Sequence, residues 1–90
     1  MERVHMVITG LVQGVGYRKW AKRAATSLAV VGYVKNREDG SVEICAEGNK
    51  SSLQAFVLHC HSGPEVSFVE QVSPTWLPAS NEFTQFEVIC

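Results

Sequence analysis

Between Gly10 and Arg18 the apolar pattern of the chain changes period, and that change fixes a strand–turn–helix unit near its start. Val4, Met6 and Ile8 recur at every second position, the spacing of a strand with one buried face. Trp20, Ala21, Ala24, Ala25 and Leu28 recur at helical spacing. The segment Gly10-Leu11-Val12-Gln13-Gly14-Val15-Gly16-Tyr17-Arg18 joins the two, with glycines at the turn and an arginine at the helix start. A helix start presents backbone N–H groups without intrahelical partners, together with the positive end of the helix dipole. Glycines allow the preceding backbone to curl so that successive N–H groups face one concavity. Arg18 adds a planar fork of donors and a permanent charge. The segment is therefore an anion cradle in outline. Neither G-x-G-x-x-G nor G-x-x-x-x-G-K-[ST] is present, so a small anion is expected rather than a nucleotide.

The rest of the chain reads as strand, strand, helix, strand, strand. Residues 4–11 form the first strand and 17–29 the first helix. Residues 32–37 and 41–47 alternate and flank Glu38-Asp39-Gly40, which suits a hairpin. Asn49 or Ser51 can cap a second helix whose apolar positions Leu53, Phe56, Val57 and Cys60 follow the i, i+3, i+4, i+7 stripe. Ser62-Gly63-Pro64 ends it. Residues 66–73 predict a further strand with a bulge near Phe68-Val69. Pro74-Thr75-Trp76-Leu77-Pro78 is expected as an exposed connection, and 83–89 as a short closing strand. The order β-α-β-β-α-β packs most simply as an α+β, ferredoxin-like sandwich. In it, one antiparallel sheet carries both helices on one face, with a short strand at the C-terminus. Linkers, repeats and low-complexity tracts are absent, so residues 1–90 are expected to form a single domain.

Composition narrows the function classes. A net charge of −1 argues against a broad nucleic-acid or membrane surface. No apolar run approaches the ~20 residues of a bilayer span, and Met-Glu-Arg-Val-His lacks a signal-peptide core, so a cytoplasmic protein is expected. Cys45, Cys60 and Cys90 cannot all pair within one chain and show no C-x-x-C spacing. Free thiols are expected, with Cys90 at an exposed terminus able to link two chains on storage. His59 and His61 stand at i, i+2 on a helix and point to different faces, so no metal is expected. His5 falls on a sheet face. Tyr17 and Trp20 read as core anchors, and Lys19, Lys22 and Arg23 as a solvated helix face able to attract anions modestly. Glu38 and Asp39 belong to the turn and face no partner carboxylate.

The stretch from Gly10 to Arg18 resembles the acylphosphatase signature G-x-V-Q-G-V-x-[FY]-R without a mismatch. A second signature of that family, Gly-aromatic-Val-Lys-Asn followed by a turn and G-x-V, is similar to Gly32-Tyr33-Val34-Lys35-Asn36 and Gly40-Ser41-Val42. The resemblance is firm from Val4 to Gly48 and weaker beyond. It implies a metal- and cofactor-free monomeric hydrolase of small acyl phosphates, with inorganic phosphate as product and competitive inhibitor. The backbone of Gln13, Gly14, Val15, Gly16, Tyr17 and Arg18 would cradle the phosphoryl group, and Arg18 and Asn36 would be the catalytic side chains. One departure concerns structure: the family usually carries Gly where this chain has Ala29, just after the first helix. A left-handed residue there favours Gly, so either Ala29 tolerates a positive φ or the helix ends differently.

The chemistry fits the residue types. The carboxylate expelled from an acyl phosphate has a conjugate acid of pKa about 4–5 and needs no proton donor. Arg18 with backbone donors would neutralise charge on the equatorial oxygens, and the Asn36 amide would place the attacking water. Two rival functions exist. An RNA-binding sheet would need an aromatic RNP1 strand, whereas residues 41–47 read Ser-Val-Glu-Ile-Cys-Ala-Glu. A non-hydrolytic phosphate-recognition module would not require Arg18 and Asn36 together. The acyl side of the substrate is not written in the cradle.

Overall fold

The first strand, β1 (Glu2–Leu11), is an interior strand of a five-stranded sheet of order β4-β1-β3-β2-β5. This computed structural model describes residues 1–89, so Cys90 lies outside the described residues. The other elements are α1 (Tyr17–Ser27), β2 (Val31–Asn36), β3 (Val42–Gly48), α2 (Lys50–Ser62), β4 (Phe68–Pro78) and β5 (Phe86–Ile89). Val4, Met6 and Ile8 of β1, Val34 of β2 and Val42, Ile44 and Ala46 of β3 share one sheet face. Tyr17, Ala21 and Ala25 of α1 and Leu53, Phe56 and Cys60 of α2 join the same buried cluster, so both helices cover that face. The periods read from the sequence thus close one core, and the ferredoxin-like order holds.

Three expectations are corrected. The sheet is mixed, because β5 pairs with β2 in parallel while β1–β3, β1–β4 and β2–β3 are antiparallel. The cause is the route of the chain. β4 leaves the sheet where β1 begins, Pro78 pairing with Glu2. Residues 79–85 then cross that end, so β5 enters beside the start of β2, with Phe86 opposite Gly32. The segment Pro74–Pro78 is not a loose connection but the second half of β4, in register with Met6 to Glu2 of β1. Edge strands need only one row of ladder bonds and therefore accept proline. The bulge expected near Phe68-Val69 falls one residue later. Gly10 pairs with Val69 and Thr9 with Gln71, which leaves Glu70 as the extra residue. A Cβ on Gly10 would collide with the Phe68 carbonyl and lie 2.8 Å from the Glu70 nitrogen, so the bulge requires glycine there.

Helix α1 ends two residues earlier than expected, and Ala29 adopts the left-handed conformation itself, at φ 57°. Val30 N–H donates to Ala25 O at 2.9 Å and Ala29 N–H to Thr26 O at 3.2 Å, the paired bonds of a Schellman end. A left-handed non-glycine costs about 1–2 kcal/mol, offset in part by the greater chain entropy of glycine. Ala29→Gly is therefore expected to stabilise the protein by about 0.5–1 kcal/mol in urea denaturation, with no change in activity. At the start of α2, Asn49 occupies the cap with extended backbone but without a side-chain capping bond.

The crossing segment is clamped by a buried carboxylate. Glu47 is 1% exposed and accepts hydrogen bonds from Arg3 Nε (2.7 Å), Ser80 N–H (2.8 Å) and Asn81 N–H (3.0 Å). Burial pushes its pKa up, but these donors outweigh burial and hold it below the usual carboxylate range. A depressed pKa adds stability that is fully present at neutral pH, above the unfolded value, and is lost as pH falls through the lowered folded value. Glu47→Gln, which sets an amide NH₂ against these donors, is expected to lower stability by about 2–4 kcal/mol at pH 7 and to flatten the acid limb. Denaturant melts from pH 7 to 3 measure both effects.

On the sheet face away from the helices, Glu43 accepts from Tyr33 Oη at 2.7 Å and lies 3.2 Å from His5 Nε2. His5 thus sits on a sheet face, as expected. Cys45 and Cys60 are buried free thiols, and burial pushes the Cys60 thiol up to about 12.

Candidate active site

The anion loop forms because two glycines flanking Val15 take left-handed backbone, Gly14 at φ 73° and Gly16 at φ 80°. Gly16 is the N-cap of α1 and has no side chain to satisfy the first turn. None of the backbone hydrogen bonds of turns and caps among the described residues uses an N–H between Gln13 and Lys19. Gly14, Gly16, Tyr17, Arg18 and Lys19 of this stretch line a pocket of about 180 Å³ at the start of α1.

Tyr17 pins the helix that carries this turn. Its ring is buried against Trp20, with centroids 5.6 Å apart, and its hydroxyl donates to Cys60 O of α2 at 2.7 Å. Burial pushes the phenol far above its ordinary value, so Tyr17 holds its proton and serves as an anchor. The next residue, Arg18, lines the pocket half-buried, and its Nη1 donates to Ile89 O of β5 at 3.1 Å. Strand β5 therefore holds the guanidinium from the side opposite α1.

Asn36 ends β2 and reaches the same pocket from the sheet. The turn that follows it is closed by Arg37 N–H to Ser41 O at 2.9 Å and Gly40 N–H to Arg37 O at 3.2 Å. Asp39 Oδ1 accepts from Ser41 N–H at 3.0 Å, so this carboxylate serves the turn. Its pKa is lowered by the Ser41 hydroxyl and backbone donors. Gln13 Nε2 donates to Arg37 O at 2.7 Å and to Ser41 O at 2.9 Å. The Gln13 side chain is thus a strut between the anion loop and the Asn36 turn, and only its backbone is left to face an anion.

Of the residues expected at the site, Gly14, Gly16, Tyr17, Arg18 and Asn36 line the pocket; Gln13 and Val15 do not, and Val15 packs on the core. Three further lining residues were missed: Val12, Lys19 and Val88. Lys19 follows Arg18 and was readable as a second cation at the helix start. Val88 carried no signal, since its place depends on how β5 enters the sheet. No lining residue is acidic. Among the described residues, no group of three or more His, Cys, Asp and Glu side chains is arranged to hold a metal ion.

Comparisons with known proteins agree with this geometry. The sequence pattern of the acylphosphatase family matches residues 4–88. The acylphosphatase of Marinobacter nauticus is 44% identical over 86 residues, covering 96% of this chain and 94% of that protein. The crystal structure of acylphosphatase from Bacillus subtilis superposes with a TM-score of 0.97 at 36% identity, covering 100% of both chains. The structure of an acylphosphatase from Coxiella burnetii gives a TM-score of 0.91 at 29% identity, covering 98% of this chain and 93% of that one. With the family pattern spanning both β1–α1 and the Asn36 strand, the chain belongs to the acylphosphatase family.

Proposed function

We propose that the protein hydrolyses small acyl phosphates to a carboxylate and inorganic phosphate, and that it does so without a metal or cofactor. One observation carries this reading: Arg18, Asn36 and the glycine turn line a single pocket free of acidic side chains. The phosphoryl group occupies the loop, its equatorial oxygens facing the N–H groups from Gln13 to Arg18 and the Arg18 guanidinium. Asn36 holds a water opposite the acyl oxygen through its carboxamide. Attack forms the new P–O bond as the bond between phosphorus and the acyl oxygen breaks. The electron pair leaves with the carboxylate, and the water proton passes to a phosphate oxygen. Asn36 is no base, and none is required with so acidic a leaving group.

Inorganic phosphate, the product, fills the same loop and competes with substrate. The protein acts as a monomer in the cytoplasm and binds neither nucleic acid nor membrane. The buried free thiols of Cys45 and Cys60 suit a reducing compartment, and among the described residues no helix is long and apolar enough to cross a membrane.

Steady-state hydrolysis of benzoyl phosphate in excess EDTA tests the reading. Sustained turnover, with phosphate and sulfate both competitive, is the expected result. Activity lost to EDTA and restored by Mg²⁺, or noncompetitive inhibition by both anions, contradicts it.

A further inference from the structure

The first two cations of α1 are placed where a helix by itself disfavours them. Arg18 and Lys19 fall in its first turn and Lys22 and Arg23 in the next, the first turn holds no acidic residue, and no Asp or Glu occurs between Val12 and Arg37. Positive charge at a helix N-terminus opposes the dipole. The ion pairs among the described residues use Arg3, His5 and Lys35 but none of these four. Arg18 faces the anion loop. Lys19, Lys22 and Arg23 instead line, with Thr26, Ser27 and Val88, a groove of about 620 Å³ between α1 and β5. Lys19 and Val88 line both this groove and the smaller pocket, so the two open into each other.

We propose that this groove is the acyl-side subsite, and that it selects acyl phosphates whose acyl group carries a second anion, a carboxylate or phosphate, at its far end. The inference rests on the acyl phosphate reading of the adjoining pocket. Lys19, Lys22, Arg23 and Thr26 stand at i, i+3, i+4 and i+7, one stripe along the helix. At 1.5 Å per residue, Lys22 and Arg23 lie about 6–8 Å along the axis from Arg18. That is the separation between the phosphoryl group and a para substituent of a benzoyl phosphate. The half-exposed Val88 and the lysine stems give an apolar wall for the intervening carbons, and the charged heads meet the terminal anion. No acidic side chain lines the groove.

The test compares benzoyl phosphate with 4-carboxybenzoyl phosphate, whose distant carboxylate leaves the acidity of the leaving group nearly unchanged. With two exposed, solvent-screened charge contacts, kcat/KM for the carboxylated substrate is expected to be about five- to tenfold higher at physiological salt. Lys22→Gln/Arg23→Gln should bring the two substrates to parity. Lys50→Gln removes a cation from the start of α2, beyond the β3 end that pairs with Glu2 and so away from the anion loop. It should leave the preference intact. Equal kcat/KM in the parent protein, a preference that survives the double substitution, or an equal loss in Lys50→Gln overturns the subsite while leaving the hydrolase reading in place. Turnover of neither substrate overturns the hydrolase reading and the subsite with it.

Discussion

Arg18→Ala is expected to lower kcat/KM for benzoyl phosphate by about 10³-fold or more, with losses in both kcat and KM. The guanidinium is the one permanent planar charge at the anion loop, held by the Ile89 carbonyl against β5. It meets the phosphoryl dianion in the ground state and meets spread charge more strongly in the transition state, so its removal affects both. Arg18→Lys should recover only part of the loss, because an ammonium lacks the rigid planar fork that can meet an oxygen pair while holding the Ile89 carbonyl. Full recovery by lysine, in steady-state kinetics, would reduce Arg18 to a source of charge.

Asn36→Ala has the next largest expected effect, a fall in kcat of about 10²-fold with little change in phosphate affinity. Asn36 is exposed at the end of β2, carries no charge, and stands on a turn braced by two bonds from Gln13. A group in that position contributes geometry for a water rather than binding for an anion. Single-turnover kinetics with saturating benzoyl phosphate measure the chemical step and should show the full loss there.

Most of the site was readable because its parts are local. The shift from a two-residue to a helical period locates the turn, and Gly14 and Gly16 announce the left-handed backbone found there. Even the substitution at Ala29 pointed to a helix end that the structure bears out. What stayed hidden depends on contacts distant in sequence. The direction of β5 follows from the side on which residues 79–85 cross the sheet, and four residues of alternation contain no direction. Pro74 and Pro78 read as loop because proline lacks the N–H of a ladder, yet an edge strand does not need it. Glu47 alternates like a solvent-facing strand residue, and only the covering segment turns it into a buried clamp. Gln13 looked like part of the cradle by position, whereas its side chain is committed to carbonyls 24 and 28 residues away.

Titration of inorganic phosphate into the parent protein, Arg18→Ala and Asn36→Ala, followed by calorimetry, tests most directly the proposed division of labour between cradle and water. Parent protein and Asn36→Ala should bind phosphate within about threefold of each other, while Arg18→Ala should bind at least about tenfold more weakly, a loss near 1.4 kcal/mol. If Asn36→Ala loses as much phosphate affinity as Arg18→Ala, Asn36 belongs to the cradle and the attacking water is positioned by something else.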